Sequence, residues 1–127
     1  MQISCGVDII EIDRVKKSIE NTSKFIGEIF TEKEIEYCEG KNKQKYQHYA
    51  ARFAAKEAIF KAISTGLKSK YDIEWKQIEV QNEESGRPFV LIHNDISKQI
   101  EQIDLSMSHC KDYATANAVV VLKVEGE

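Results

Sequence analysis

Three short segments of the chain contain residue types that could bind phosphate or a divalent cation. Glu57 and Lys61 are four residues apart with the acid first, so on a helix their side chains share one face. The same spacing is typical of a surface ion pair worth about 0.2–0.5 kcal/mol. Asp8 closes an alternating segment and could be an ordinary solvent-facing carboxylate, and the stretch from Ser106 to His109 could simply end a surface strand. None of the three segments is decisive by itself.

The composition narrows the classes of protein to consider. The 127 residues are 42% hydrophobic and 31% charged, which fits one globular domain over residues 1–127. The net charge is -3, and of the 18 basic residues only Arg14, Arg52 and Arg87 are arginine, so no nucleic-acid partner is expected. The sequence contains no GxxxxGK(S/T), GxGxxG, HExxH or GxSxG motif. Nucleotide-binding and hydrolase sites of those types are therefore not predicted.

The cysteines and the lengths of the apolar runs indicate a cellular location. Cys5, Cys38 and Cys110 are odd in number and widely separated, which favours reduced thiols over disulfides or a metal knuckle. The N-terminal residues lack the basic and apolar regions of a signal peptide, and no apolar run approaches the roughly 20 residues of a membrane span. We therefore expect a cytoplasmic protein without a membrane partner.

The first strand is predicted from strict alternation. Ile3, Val7 and Ile9 fall on one face of a strand over residues 3–10, and Gly6 and Asp8 fall on the other. We expect the apolar face to meet the core, which would place Asp8 on the face that is turned away from it.

Capping signals predict two helices, and composition predicts a third. Asp13 is expected to cap the first, and Thr31 with Glu34 forms a capping box that opens the second. Residues 46–64 are rich in alanine and free of glycine and proline, which predicts a long helix ended by Gly66.

The second half of the chain reads as two hairpins. Gly86 supplies the turn of the first, and Asn94 caps a short helix that reaches about residue 103 before the second begins. The predicted strands cover residues 73–80, 89–92, 105–109 and 113–124.

Taken in chain order, five segments resemble one protein family. They read GVDIIEI at residues 6–12, RFAAKEAIFKA at 52–62, TG at 65–66, GRP at 86–88 and SMSH at 106–109. Motifs of this kind, at this spacing and in a chain of this size, resemble the bacterial single-domain 4'-phosphopantetheinyl transferases. The resemblance implies an α+β fold, the 4'-phosphopantetheinyl transferase fold, with antiparallel strands packed with one long central helix and short helices.

The resemblance also implies a reaction and its central residues. In that family the arm of coenzyme A is transferred to a serine of an apo-acyl carrier protein, by default in fatty acid biosynthesis, and adenosine 3',5'-bisphosphate leaves. Asp8 and Glu57 match the family's ligands for Mg²⁺, which takes one or two carboxylates together with phosphate oxygens. Lys61 matches a lysine near the transferred phosphate, so Asp8, Glu57 and Lys61 are the expected catalytic residues.

Binding residues and assembly are implied in the same way. The resemblance suggests a homotrimer with active sites between protomers, and exposed sheet edges would fit a need for burial by oligomerisation. Matching positions for coenzyme A are Arg52, Lys56, Gly66, Ser108 and His109, and those for the acidic carrier protein are Arg14, Lys17 and Lys24.

Two questions stay open on the residues alone. The base that accepts the serine proton could be a metal-bound water or hydroxide, or it could be Glu34, although the capping box already explains that residue. The chain could also be a non-catalytic module that binds coenzyme A or an acidic protein, or a purely structural trimer with a surface ion pair between Glu57 and Lys61. Both alternatives predict that no carrier protein is modified.

Overall fold

The computed structural model describes residues 2–66 and 73–123. Short 3-10 helices at Asn42–Gln44, Trp75–Gln77 and Asp95–Gln99 join the longer elements. The α-helices are α1 (Ile12–Asn21), α2 (Phe25–Ile29), α3 (Glu32–Glu39) and α4 (Lys45–Gly66), and the strands are β1 (Gln2–Glu11), β2 (Ile78–Asn82), β3 (Pro88–Ile92), β4 (Ile100–His109) and β5 (Tyr113–Leu122).

Two antiparallel sheets are arranged around the long helix α4. Strands β1, β5 and β4 form one sheet in that order, and β2 pairs with β3 in a separate hairpin. A buried cluster joins α4 to β5 and to the hairpin, and a second joins α4 to α1, α2 and α3. The α+β architecture predicted from the sequence is confirmed, and no helix among the described residues is long and apolar enough to cross a membrane.

The orientation of β1 is the reverse of the prediction. Ile3, Val7 and Ile9 are 64%, 62% and 66% exposed, whereas Gly6 is buried and Asp8 is half-buried on the face toward α4. The apolar side chains of β1 therefore point outward, and the expectation that Asp8 lies on the face turned away from the core is wrong.

Close approach of β1 to α4 explains the reversal. A Cβ atom at Gly6 would lie only 2.0 Å from the carbonyl oxygen of Ala58 and 2.9 Å from the backbone nitrogen of Ala62. Ser4 Oγ donates a hydrogen bond of 2.6 Å to the Ala62 carbonyl. Only a strand face of small residues fits against the alanines of α4, so the bulky face must turn outward.

Two predicted boundaries near the helices are wrong. Helix α1 begins at Ile12, directly after β1, and its N-cap is Glu11 without a side-chain hydrogen bond, so Asp13 lies in the first turn and is not the cap. The strand predicted over residues 73–80 begins only at Ile78, because Trp75–Gln77 form a 3-10 helix whose capping box joins Glu74 and Gln77.

The last hairpin differs in length from the prediction. Asn94 does cap a helix, but this is a 3-10 helix that ends at Gln99, so β4 starts at Ile100 and not at residue 105. Strand β5 is described to Leu122, and residue 124 of the predicted strand lies outside the described residues.

The local signals in the middle of the chain are confirmed. Thr31 and Glu34 make both hydrogen bonds of the capping box. Helix α4 is described as far as Gly66, and the residues that would show whether it ends there lie outside the described ones. Gly86 has a φ of 93°, the left-handed conformation that the turn between β2 and β3 requires.

Candidate active site

A cavity of about 380 Å³, here called the acidic cavity, lies between β1, α1, α2 and α4. Asp8 reaches it from β1 and Glu57 from the middle of α4, so the two predicted metal ligands border the same space. The remaining lining residues are Ile9, Ile10, Arg14, Val15, Ser18, Phe25 and Phe53.

Lys61 joins the two elements that carry the acids. Its Nζ atom lies 3.1 Å from Asp8 Oδ1 and donates a second hydrogen bond of 3.2 Å to the Val7 carbonyl. The Lys61 side chain is 51% exposed, whereas that of Asp8 is 18% exposed. The structure therefore brings together Asp8, Glu57 and Lys61, and leaves about half of the Lys61 side chain exposed to solvent.

The electrostatics of Glu57 suit a bound cation. Burial raises the pKa of the Glu57 carboxyl, the charge of Asp8 raises it further, and the positive charge of Lys61 opposes both effects. Two carboxylates that repel one another across a cavity are stabilised by a divalent cation between them. No group of three or more metal-binding side chains occurs among residues 2–66 and 73–123, and two carboxylates match what Mg²⁺ takes beside a phosphate.

The residues expected to meet the carrier protein belong to α1 and to the start of α2, two helices that border the acidic cavity. Arg14 lines the cavity itself from the first turn of α1. Lys17 is bound to Asp13 at 2.9 Å on the exposed side of the same helix, and Lys24 immediately precedes α2. Arg14 is therefore the one of the three that faces both the acids and the solvent.

Arg52 lies in a different environment. It is 2% exposed, its Nη2 atom donates to Asn82 Oδ1, and its guanidinium sits 4.0 Å from the ring centroid of Tyr37. Its Nε atom has no hydrogen-bond partner within the described part of the chain. Arg52, Tyr37 and Asn82 line a cavity of about 280 Å³, here called the arginine cavity, which shares no lining residue with the acidic cavity.

His109 ends β4 beside this cationic region. Its ring centroid is 5.9 Å from that of His48, which in turn meets Tyr37 edge-on at 5.6 Å. Burial lowers the pKa of His48, and the charges of Arg52, Lys41 and His109 lower it further. Arg52, Lys41 and His109 thus place several cationic or protonatable groups around His48, an arrangement that could bind an anion.

Lys56 and Glu34 form a buried ion pair. Lys56 Nζ lies 2.8 Å from Glu34 Oε1, and both side chains are fully buried. Lys56 also donates to the carbonyls of Trp75 and Ile78, while Glu34 accepts from the backbone of Thr31 and Val80. The structure thus gives both residues a role in joining α3, α4 and β2, apart from the acids of the cavity.

Ser108 and Gly66 are also placed apart from the acidic pair. The sheet register puts Ser108 opposite Thr115, which pairs with Ile9, so Ser108 lies on the outer face while Asp8 lies on the inner face. Gly66 is the last residue of α4, one turn beyond Lys61.

Sequence reasoning missed an aromatic wall beside the acids. The Phe53 ring stacks between Phe25, at 6.2 Å between centroids, and Trp75, at 5.1 Å. Phe25 belongs to α2, a short helix that the sequence did not predict. No periodicity links residues 25, 53 and 75, so only the folded chain reveals that they are neighbours.

Comparison with known proteins shows which family the chain belongs to. The model of the 4'-phosphopantetheinyl transferase superfamily matches residues 4–118 of the chain. The chain belongs to this superfamily. The matched range includes both carboxylates of the acidic cavity, Lys61, and the segment that ends at His109.

Individual superfamily members are similar over nearly their whole length. The holo-(acyl-carrier-protein) synthase of Ruminiclostridium cellulolyticum is 43% identical, with 96% of this chain and 94% of the relative covered. That of Clostridium tetani is 42% identical, with 100% and 98% covered. Among solved structures, the Bacillus anthracis synthase in complex with coenzyme A (3',5'-ADP) is 34% identical, with a TM-score of 0.78 and 94% of this chain and 97% of that chain covered. The fold predicted from the resemblance is confirmed.

Proposed function

We propose that the protein transfers the 4'-phosphopantetheine group of coenzyme A to a serine of an apo-acyl carrier protein. The observation that carries the proposal is the acidic cavity, which Asp8 and Glu57 both line and where the half-exposed Lys61 side chain pairs with Asp8. Two further findings support the proposal. The chain belongs to the superfamily, and similar proteins are named holo-(acyl-carrier-protein) synthases, one of which has a solved structure in complex with coenzyme A.

Asp8 and Glu57 are the proposed ligands of Mg²⁺. When bound there, the ion would neutralise charge on the pyrophosphate of coenzyme A. Lys61 can turn its ammonium from the Asp8 carboxylate to a phosphoryl oxygen, because half of its side chain is already exposed to solvent. It would then stabilise the negative charge that develops on the phosphoryl oxygens as the serine oxygen attacks the phosphorus and the bisphosphate leaves.

Glu34 is poorly suited to accept the proton of the serine. It is 1% exposed, and its two oxygens already accept hydrogen bonds from Thr31, Val80 and Lys56. A base must reach the proton directly or through one water molecule. We therefore propose water in the open acidic cavity as the proton acceptor.

Coenzyme A would place its nucleotide in the arginine cavity of a neighbouring protomer. The buried Arg52, whose Nε has no hydrogen-bond partner among residues 2–66 and 73–123, and the nearby His109 offer cationic donors for a phosphate. Because this cavity shares no lining residue with the acidic cavity, we assign the two cavities of one complete site to two neighbouring chains.

The outer face of β1 supports assembly into a homotrimer. Ile3, Val7 and Ile9 are each more than 60% exposed, and Val119 of β5 adds 37% exposure on the same face. A continuous apolar face of this kind is typical of an interface between protein chains. Ser108 lies on this face, so a neighbouring protomer would bring its own groups toward it.

We propose that the protein acts in the cytoplasm. All three cysteines are free thiols, as expected in the reducing cytoplasm. The default carrier is the one used in fatty acid biosynthesis.

Intact-mass spectrometry of an apo-acyl carrier protein, incubated with coenzyme A, Mg²⁺ and this protein, tests the reaction. The carrier should gain the mass of one phosphopantetheine group, and Asp8→Asn and Glu57→Gln should each reduce the rate by at least about a hundredfold. An unmodified carrier with coenzyme A still bound would favour the non-catalytic binding module instead.

A further inference from the structure

His48 belongs to a group of basic side chains around the ring of Tyr37, here called the basic cluster. His48 and Arg52 are four residues apart on α4, so their side chains share one face of the helix. The His48 ring meets the Tyr37 ring edge-on at 5.6 Å between centroids, and the Arg52 guanidinium lies 4.0 Å from the same Tyr37 centroid. The Nζ atom of Lys41 lies 4.7 Å from that centroid, and the His109 ring is 5.9 Å from that of His48. Four basic side chains from three segments of the chain therefore meet in one place.

The strongest influences on the His48 imidazole oppose its protonation. Burial lowers the pKa of His48, and the charges of Arg52, Lys41 and His109 lower it further. An imidazole in such surroundings is neutral at a pH where an ordinary histidine already carries a proton. A negative charge placed in the basic cluster would reverse this effect, because it would offset the three neighbouring cationic groups.

The acids of the elements packed around the basic cluster do not supply that negative charge. Glu39 of α3 accepts a hydrogen bond of 2.6 Å from Tyr49 Oη and is paired with Lys45. Lys33 and Glu83 line the arginine cavity and contribute one charge of each sign. The described residues therefore leave the basic cluster with an excess of positive charge.

The Nε atom of Arg52 marks a place for an anion in the basic cluster. Arg52 is 2% exposed, yet this atom has no hydrogen-bond partner within residues 2–66 and 73–123. A buried donor without a partner costs free energy, and the oxygens of a phosphate group suit a guanidinium. Arg52 and Tyr37 also line the arginine cavity, so an anion can reach the cluster from there.

We propose that His48 takes up a proton when a phosphate group of the nucleotide binds at Arg52, so that nucleotide binding strengthens as the pH falls. The assignment rests on the proposed function, since the nucleotide is that of the donor substrate. The proton comes from solvent, and no covalent bond to the nucleotide changes. Protonation and nucleotide binding then strengthen one another by the same factor. His48 thereby sets the affinity for the nucleotide and takes no part in the transfer itself.

Adenosine 3',5'-bisphosphate, the nucleotide product, tests the assignment without catalysis. Calorimetric titration of the full-length protein, in two buffers of different ionisation enthalpy, measures both the affinity and the number of protons taken up. Between about pH 8 and about pH 6, wild type should gain more affinity than His48→Gln, by up to about tenfold, the factor that one pKa unit represents. At about pH 8 the two affinities should agree, because His48 is then neutral. The ligand's own phosphates titrate in the same way with both proteins, so the comparison cancels their contribution.

Two further variants separate the titration of His48 from its packing. His48→Phe keeps an aromatic ring against Tyr37 and His109 but cannot bind a proton, so it should show the weaker pH dependence of His48→Gln. His93→Gln is the matched control, because His93 lies beside the β2–β3 hairpin with its Nε2 atom 2.9 Å from Glu79 Oε1, and this variant should behave as wild type. Proton NMR of the imidazole signals provides a second readout, since the pKa of His48 should rise when the bisphosphate is added.

Each other outcome overturns the assignment. If both His48 variants weaken binding equally at the two pH values, His48 acts only through packing. If they keep the full pH dependence of wild type, the proton is taken up elsewhere, and in both cases the proposed function stands. If wild-type protein does not bind the bisphosphate at either pH, the assignment fails, and modification of the carrier protein then shows whether the proposed function fails with it.

Discussion

Lys56 Nζ lies 2.8 Å from Glu34 Oε1 in a pair with no solvent exposure on either side chain. The pair ties the middle of α4 to the start of α3, and its remaining hydrogen bonds reach the backbone on both sides of the start of β2. The family resemblance predicts Lys56 as a ligand of coenzyme A, and Glu34 was one of two candidates for the base. Their buried contacts show that both residues hold the elements around the active site in place.

Removing one partner of this pair should destabilise the protein severely. Lys56→Met leaves the Glu34 carboxylate buried without its cation, which costs about 3–5 kcal/mol of unfolding free energy. Urea denaturation monitored by circular dichroism measures the loss. Lys17→Met is the matched control, because its ion pair with Asp13 is exposed on both sides and should contribute little to the free energy of unfolding. Unchanged stability of Lys56→Met with lost coenzyme A affinity would restore Lys56 to the binding site.

Adding one methyl group at Gly6 should disturb the contact between β1 and α4. A Cβ at this position would lie 2.0 Å from the Ala58 carbonyl oxygen, so strand and helix must separate. We expect Gly6→Ala to lower the free energy of unfolding by about 1–3 kcal/mol. Thermal denaturation should show this as a lower melting temperature. Gly27→Ala has open space around the new methyl group and should not lower the melting temperature. Equal melting temperatures for the two variants would contradict the close packing at Gly6.

The raised pKa of Glu57 implies a stability that depends on pH. Between its ordinary pKa and the raised value, the folded state binds more protons than the unfolded state, so stability falls as the pH rises through that window. Glu57→Gln has no carboxyl group to ionise, so it does not lose stability in this pH window. Without added metal, it should melt at a higher temperature than wild type at neutral pH, and the difference should vanish in acid. Glu101→Gln, at an exposed position of β4, is the control, and its melting temperature should equal that of wild type at every pH. If Glu57→Gln melts at a lower temperature than wild type at neutral pH, the raised pKa of Glu57 does not destabilise the folded protein.

A charge on the outer face of β1 should prevent assembly. Val7 is 62% exposed in one chain, and burying a lysine at this position in an apolar interface is unfavourable. Val7→Lys should sediment as a monomer under conditions in which wild type forms a trimer, as measured by analytical ultracentrifugation. Leu91→Lys, on the separate β2–β3 hairpin, should remain trimeric. A trimer that persists in Val7→Lys would place the interface elsewhere.

Reversing the charge of Arg14 should affect the carrier protein selectively. Arg14 lies at the acidic cavity, where it can attract an acidic surface. Arg14→Glu should raise the KM for the carrier by about tenfold, and added salt should narrow the difference from wild type. The KM for coenzyme A should stay the same. Lys98→Glu makes the same charge change at a side chain that is 82% exposed on a distant 3-10 helix and should leave both constants unchanged.

The spacing of Glu57 and Lys61 predicted their shared helix face but not the role of the two residues. It was sufficient to place both side chains on one face of a confirmed helix, because i and i+4 positions are adjacent whatever surrounds the helix. It could not distinguish a surface ion pair from an active site. The structure showed that Lys61 pairs with Asp8, which is 53 residues away in sequence.

Signals carried by a few neighbouring residues were predicted correctly for the same reason. The Thr31 and Glu34 capping box and the Gly86 turn depend on backbone geometry within one or two turns. The motifs also determined the family, since their residues and order are properties of the sequence itself.

The tertiary structure alone decided which face of β1 turns inward. Alternation defines two faces, but it cannot tell which one a partner will accept, and the alanines of α4 leave room only for the face that carries Gly6. That choice turns Asp8 toward Glu57 and Lys61 and exposes Ile3, Val7 and Ile9. The buried pairing of Lys56 with Glu34 was decided in the same way, because burial and ion pairing depend on contacts between segments that are distant in the chain.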